Sequence, residues 1–235
     1  MKLKVVTLAI LFAPLLFSCS KDHDTFNPAT GDIDDSFNHS VQSWTAGFSD
    51  YPKDKEVPWE LKSSHEILPA PLDNTSKGIL VSGINHSDDL FMYIKKKVSG
   101  LSPNKTYKMK VDVELASNAL RSNLGVGGSP GGSVILKAGM TLEEPKKVMN
   151  PTGTLYVMNI DKGNQEREGV DAVKMGDIDN GTNKTDYALI SRSAEFTGKA
   201  DSNGEAWVYV GTDSGYEGTT TLYYTKVKAS FSAVD

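Results

Sequence analysis

The sequence predicts an all-β protein, an antiparallel β-sandwich of jelly-roll type. From Phe37 onward its apolar residues recur with period two, the spacing of strands with one covered and one wet face. No stretch carries a helical pattern of useful length. The alternating runs are short, eight or more in number, and separated by Gly-, Asn- and Pro-rich connections, which is how sandwiches read.

The first residues stand outside that fold. Lys2 and Lys4 precede an apolar run from Val5 to Phe17, which has signal-peptide length and is short for a bilayer span. The run ends Leu16-Phe17-Ser18-Cys19, which resembles a bacterial lipobox, in which the cysteine becomes the lipid-bearing first residue of the mature chain. The following Ser20-Lys21-Asp22-His23-Asp24 resembles the acidic tether of Bacteroidetes-type lipoproteins, where such a patch marks export to the outer face. The resemblance implies a signal peptide over residues 1–18, a lipidated Cys19 with an acidic tether over 19–35, and a single domain over 36–235. It also implies a place on the bacterial outer membrane, lipid-anchored and surface-exposed. An ordinary free thiol is the alternative for Cys19. Several acyl chains make a stable anchor where one does not. Asp32, Asp34 and Asp35 read as solvated tether charge.

Cys19 is the only cysteine, so the fold has no intramolecular disulfide and must hold by its core. Removing residues 1–18 takes away Lys2 and Lys4 and no acid, moving the net charge from −5 to −7. A mildly acidic chain without a basic stripe is not built for nucleic acid.

Thr106 to Leu115 is the clearest strand. Tyr107, Met109, Val111, Val113 and Leu115 face one way; Lys108, Lys110, Asp112 and Glu114 face the other. Leu90 to Val98 precedes it across a connection bearing Gly100, Pro103 and Asn104, so these two strands are expected to pair. Further strands are expected over residues 78–82, 133–137, 154–160, 188–196, 206–211 and 219–231, with a turn at Asp201–Gly204. Residues 161–186 read as a long polar excursion, and excursions of that length in compact domains often carry function.

Several motifs invite chemistry, each with a plainer alternative. The glycine-rich Gly125–Gly132 leads into another strand, not a helix, so it lacks the helix-terminal amides of a phosphate loop. Asp177, Asp179, Asn180, Asn183 and Asp186 crowd one glycine-bearing loop, and oxygen ligands at that density suit a structural Ca²⁺, with Asp161 and Asp171 as additional ligands. The spacing is not that of an EF-hand, and the same residues are what any turn prefers. Asn85-His86-Ser87-Asp88-Asp89 offers an imidazole and two carboxylates for ligand or metal contact, with His65 as a second imidazole, or else a polar cap on the following strand. No Gly-x-Ser-x-Gly elbow is present. Carboxylates such as Asp50, Glu60, Glu66, Asp213 and Glu217 would serve a glycosidase only if two of them converged.

Aromatic residues give the stronger lead. Alternation sends Leu90, Met92, Ile94 and Val98 to one face, and Phe91, Tyr93, Lys95 and Lys97 to the other. If the first face is core, the second is a platform on which sugar C–H faces stack while hydroxyls meet charged groups. Aromatics on both faces are equally the mark of a strand covered on both sides. Trp44 and Trp59 are candidate platforms, as are Asp213, Tyr216 and Glu217 in the loop before the last strand; Trp207 reads as core-bound.

The closing Thr/Tyr-rich strand (residues 219–231) and an opening element from Phe37 to Trp44 resemble the galactose-binding-like jelly rolls of many carbohydrate-binding modules. More closely, "WTAGFSDYP", "NHSDDLFMYIKKKVSGL", "NIDKGNQ" and "GTDSGYEGTTTLYYTKV" are similar to stretches of uncharacterised bacterial lipoproteins, a resemblance that supplies no catalytic residues. The implied function is non-catalytic binding of a glycan or other extracellular ligand. A glycoside hydrolase or polysaccharide lyase, and an envelope scaffold that contacts only proteins, are the alternatives.

Overall fold

A computed structural model of the chain describes residues 31–234. Cys19, the signal-peptide segment and most of the tether lie outside the described residues. The described residues form fourteen strands: β1 (Ile33–Ser36), β2 (Thr45–Ser49), β3 (Tyr51–Pro52), β4 (Lys62–Ile67), β5 (Lys77–Ile84), β6 (Leu90–Val98), β7 (Thr106–Ser117), β8 (Val134–Thr141), β9 (Lys147–Met149), β10 (Leu155–Met158), β11 (Val173–Asp177), β12 (Ala188–Lys199), β13 (Ala206–Ser214) and β14 (Thr219–Ala233).

Two antiparallel sheets face each other. The first runs β12-β7-β14-β5-β4, with β1 continuing the edge of β14 beyond β5; the second runs β11-β8-β13-β6-β2. From β5 to β8, and again from β11 to β14, consecutive strands alternate between the sheets. That zigzag is the jelly roll the sequence predicts, and it corrects one expectation. The connection after Val98 does not fold β6 back onto β7; it carries the chain across the sandwich. β6 pairs with β13 and β2, whereas β7 pairs with β12 and β14.

Between the sheets lies the main core. β6 contributes Leu90, Met92, Ile94 and Val98, and β7 contributes Tyr107, Met109, Val111, Val113 and Leu115. Val134, Leu136, Ala138 and Met140 come from β8, and Val208 and Val210 from β13. Each Val, Leu, Ile or Met among them taken from water contributes about 1.5–3 kcal/mol, offset by the entropy of ordering it.

A third sheet, β3-β10-β9, and the loop after β10 cover part of the outer face of the second sheet. Beneath them Phe91, Tyr93 and Tyr209 form a second core with Met158 and Ala172. Phe91 and Tyr93 stack with centroids 5.6 Å apart, and the Tyr209 hydroxyl donates to the Asp171 carbonyl at 2.8 Å. Glycines make room for the rings: a Cβ at Gly47 would stand 2.4 Å from the Tyr93 ring, and one at Gly139 would stand 2.6 Å from the Tyr209 ring.

Two boundaries also differ from expectation. Ile33, Asp34 and Asp35 belong to the domain, because β1 pairs with β14 from Ile33 to Ser36. Ile33 is buried, and Asp35 accepts from the Trp44 indole at 2.8 Å and from Lys96 at 2.6 Å. The polar excursion at residues 161–186 contains β11, which pairs with β8 through a bulge.

Candidate functional site

The outward face expected of β6 is covered for most of its length. Phe91 and Tyr93 are buried in the second core, and Lys95 is bound by Glu144 and the Pro145 carbonyl, both at 2.7 Å. Only Lys97 is exposed, paired with Glu205. Trp44 and Trp59 are each 3% exposed and also belong to the core, so neither offers a ring face to solvent. Trp207, read as core-bound, is instead half-buried, with Lys95 Nζ 5.6 Å from its ring. The platform foreseen on β6 is therefore absent. Rings on both faces of Leu90–Val98 mark a strand covered on both sides.

Asn85 organises the loop before β6. Its side-chain oxygen accepts from the amides of Ser87, Asp89 and Leu90, and its amide donates to the carbonyls of Ser214 and Tyr216 at 2.8 and 2.9 Å. His86 and Asp88 are exposed; His86 Nε2 contacts the Pro58 carbonyl at 3.0 Å, and its ring meets Trp59 edge-on at 5.5 Å. His86 borders an open depression of about 320 Å³ with Lys55, Pro58 and Ser87. His65 contacts the Phe37 carbonyl instead, so the two imidazoles serve different carbonyls. Tyr216 and Glu217 are half-buried, and Glu217 forms a bridge with Val126.

Asp213 and Asp89 do converge, beneath the loop that follows β10. Asp213 and Lys137 have fully buried side chains. The Asp213 Oδ2 accepts from Lys137 at 3.1 Å, Lys162 at 2.9 Å and the Gln165 amide at 2.8 Å. Lys162 also lies 3.6 Å from Asp50. Burial lowers Lys137, against the pull of Asp213. Burial opposes the charge on Lys162 as well, but Asp213 and Asp50 outweigh it and raise that group. Asp50 is raised by burial, and Asp89 is pushed up to about 6 by burial despite Lys162. Asp213 and Lys137 are sealed from solvent, so this cluster locks the loop and has no room for a substrate at its centre.

Of the five residues proposed for calcium, three are held by protein partners. Asp177 pairs with Arg121 and Arg192, and Asp179 Oδ1 accepts from the Arg121 amide at 2.7 Å. Asn180 closes the turn through Thr182, Lys184 and Asp186, while Asn183 and Asp186 are exposed. Asp161 and Asp171 brace their own hairpin by accepting backbone amides. Among the described residues no three His, Cys, Asp or Glu side chains are grouped to hold a metal ion.

The open surface is the outer face of the first sheet. Three neighbouring strands carry matched rows across it: Leu189–Ala116–Tyr223, then Ser191–Glu114–Lys226, then Ser193–Asp112–Lys228, on β12, β7 and β14 in turn. Alternation keeps these residues on one side of the sheet. A bulge in β14 inserts Thr225, whose hydroxyl donates to Glu114 Oε1 at 2.7 Å. Asp112 binds the Ser193 hydroxyl. Asp34, on β1, accepts from Lys226 at 2.9 Å and from Lys228 at 3.2 Å. Those two ammonium groups hold its carboxyl below the usual range.

Depressions follow these rows. One of about 270 Å³ is lined by Asp112, Glu114, Ser191, Ser193, Lys226 and Lys228. A second, about 220 Å³, shares Glu114 and Lys226 and adds Ser36, Asn38, Lys77 and Leu189. A third, about 180 Å³, lies at the loop end beside Asn118, Thr185 and Thr221. Between the last two stand Tyr187 and Tyr223, edge to face at 5.6 Å. Burial, then each tyrosine's neighbour, pushes Tyr187 up to about 12, and burial followed by Glu66 raises Tyr223, so both hydroxyls stay protonated at neutral pH. Asn118 and Asp112, which line the two outermost of these depressions, are six residues apart, about 20 Å at roughly 3.3 Å per residue, and we call this line of depressions the trough. The sequence showed the wet face of β7 (Lys108, Lys110, Asp112, Glu114), but not that Tyr187 and Tyr223 flank it.

No family model matches the chain, and no curated protein matches it in sequence. Among solved structures it is similar to carbohydrate-binding modules of the β-sandwich superfamily described for promiscuous specificity, with 10% identity, a TM-score of 0.38 and coverage of 86% of this chain and 63% of that one. It is similar also to the CBM22-1 xylan-binding domain of Xyn10C from Paenibacillus barcinonensis, at 11% identity and TM-score 0.40, covering 88% and 96% of the two chains. An arabinose-bound α-L-arabinofuranosidase matches at 10% identity and TM-score 0.41, over 85% of this chain and 26% of that one. The chain thus spans less than two thirds of the first and third of these proteins. Likeness at this level bears on neither ligand nor site.

Proposed function

We propose that this β-sandwich is a non-catalytic carbohydrate-binding domain, presented at the outer-membrane surface by a lipid on Cys19, and that the trough over β12, β7 and β14 holds the glycan. The observation that carries the reading is the tyrosine pair, Tyr223 on β14 and Tyr187 just before β12, beside two in-register rows of hydroxyl, carboxylate and ammonium groups. Tyrosine rings present faces and edges for sugar C–H groups. Ser191, Ser193 and Glu114 supply the donors and acceptors that sugar hydroxyls need.

Glycan-array binding by the wild-type domain, weakened about tenfold by Tyr187→Ala or Tyr223→Ala, is the expected result. Silence across the array, with capture of an outer-membrane protein, would replace this reading with the scaffold. Release of reducing ends or of unsaturated product would replace it with an enzyme. Lipidation is tested separately: Cys19→Ala is expected to free the protein from the membrane fraction.

A further inference from the structure

We infer that the trough takes an extended, uncharged glycan chain and rejects polyanionic ones; this deepens, and rests on, the reading of that face as a carbohydrate site. The depressions follow one another in order along the β12 and β14 segments, at Thr185 and Thr221, then Leu189 and Thr225, then Ser193 and Lys228, with the tyrosine pair between the first two. A ligand that fills only one depression leaves the rings or the polar rows unused. A chain that fills them in series is longer than any disaccharide.

The charge pattern sets the ligand class. Three carboxylates (Asp34, Asp112, Glu114) and three ammonium groups (Lys77, Lys226, Lys228) face the polar end, and the next row adds one of each, Glu195 and Lys110. Asp34 lies between Lys226 and Lys228 and bonds both. The floor carboxylates are bonded to hydroxyls, Glu114 by Thr225 and Asp112 by Ser193. No arginine lines these depressions; Arg192, on β12, turns away to Asp177. A polyuronate or sulfated chain needs unopposed cations, preferably guanidinium forks, and would here meet Asp112 and Glu114 as like charges. A neutral chain meets alternating donors and acceptors that are already held in place.

The test is calorimetric titration of the folded domain with xylohexaose, cellohexaose, mannohexaose and their disaccharides, and with polygalacturonate, at about 20 mM and about 500 mM NaCl. At least one neutral hexasaccharide is expected to bind, tenfold or more tighter than its disaccharide, with affinity nearly unchanged by salt. Asp34→Asn, which removes the one carboxylate bonded to both Lys226 and Lys228, is expected to gain polygalacturonate binding at low salt. Wild-type binding of polygalacturonate that collapses with salt would overturn the inference and leave the carbohydrate reading standing. An Asp34→Asn protein that melts like the wild type but gains no such binding would overturn the charge-compensation account. Failure of every neutral and anionic chain to bind would overturn the carbohydrate reading itself.

Discussion

The outer faces of the two sheets began with similar prospects and have opposite fates. On the second sheet, β6 and β13 present Phe91, Tyr93, Tyr209 and Asp213, and a third sheet and a loop cover them. On the first, β12, β7 and β14 present Tyr223, Glu114, Asp112, Lys226 and Lys228, and the face stays open. The covered face has aromatic packing plus a sealed cluster of lysines and carboxylates. The open face has the same side-chain chemistry in charge-balanced pairs that solvent reaches. Covering turns rings and ions into structure, and leaving them open makes them available to a ligand.

That contrast is broken most directly at the covered ions. Asp213→Ala strands Lys137 in the interior and leaves Lys162 only Asp50 and Asp89, and is expected to cost about 3–5 kcal/mol in chemical denaturation. Lys228→Ala on the open face is expected to cost less than about 1 kcal/mol, and a comparable loss at both sites would contradict the contrast. Phe91→Ala should cost about 3–5 kcal/mol through the cavity it leaves in the second core, without altering the trough.

Asp89 gives a pH dependence of known sign. Its folded-state pKa of about 6 lies above the ordinary 3.8, so the folded state disfavours the carboxylate. Its contribution to stability is largest below about pH 4 and is lost as pH rises through 6. Asp89→Asn mimics the neutral form; its melting temperature at pH 7.5 is expected to rise by a few degrees, and the slope between pH 4 and 6 to flatten. A fall at pH 7.5 would show the carboxylate to be a net stabiliser beside Lys162. The smallest effect concerns calcium: with Asp177 and Asp179 engaged by Arg121 and Arg192, chelation is expected to leave the melting temperature unchanged. A drop would put a cation in that loop.

Strands that alternate cleanly were legible in the sequence, and their partners were not. Leu90–Val98 appears with the span the sequence indicates, and β7 runs only two residues further than expected. Yet Gly100, Pro103 and Asn104 signal a turn without saying whether the chain reverses within a sheet or crosses to the other one. Short strands such as Thr45–Ser49, Lys62–Ile67 and Val173–Asp177 lack alternation, because they are edges that gain order only from a neighbour. The trough was half visible. Lys108 to Glu114 were readable as a wet face, but a site spread over β12, β7 and β14 depends on register between strands distant in sequence, which no local pattern encodes.

The central claim is that the open face of the first sheet, and not the loop end with Trp59 and His86, holds the glycan. Amide chemical-shift mapping with a bound neutral hexasaccharide tests it most directly. Shifts are predicted along Asp112–Ala116, Tyr187–Ser193 and Thr221–Lys228. Shifts confined to Trp59, His86 and Asp88 would contradict the account.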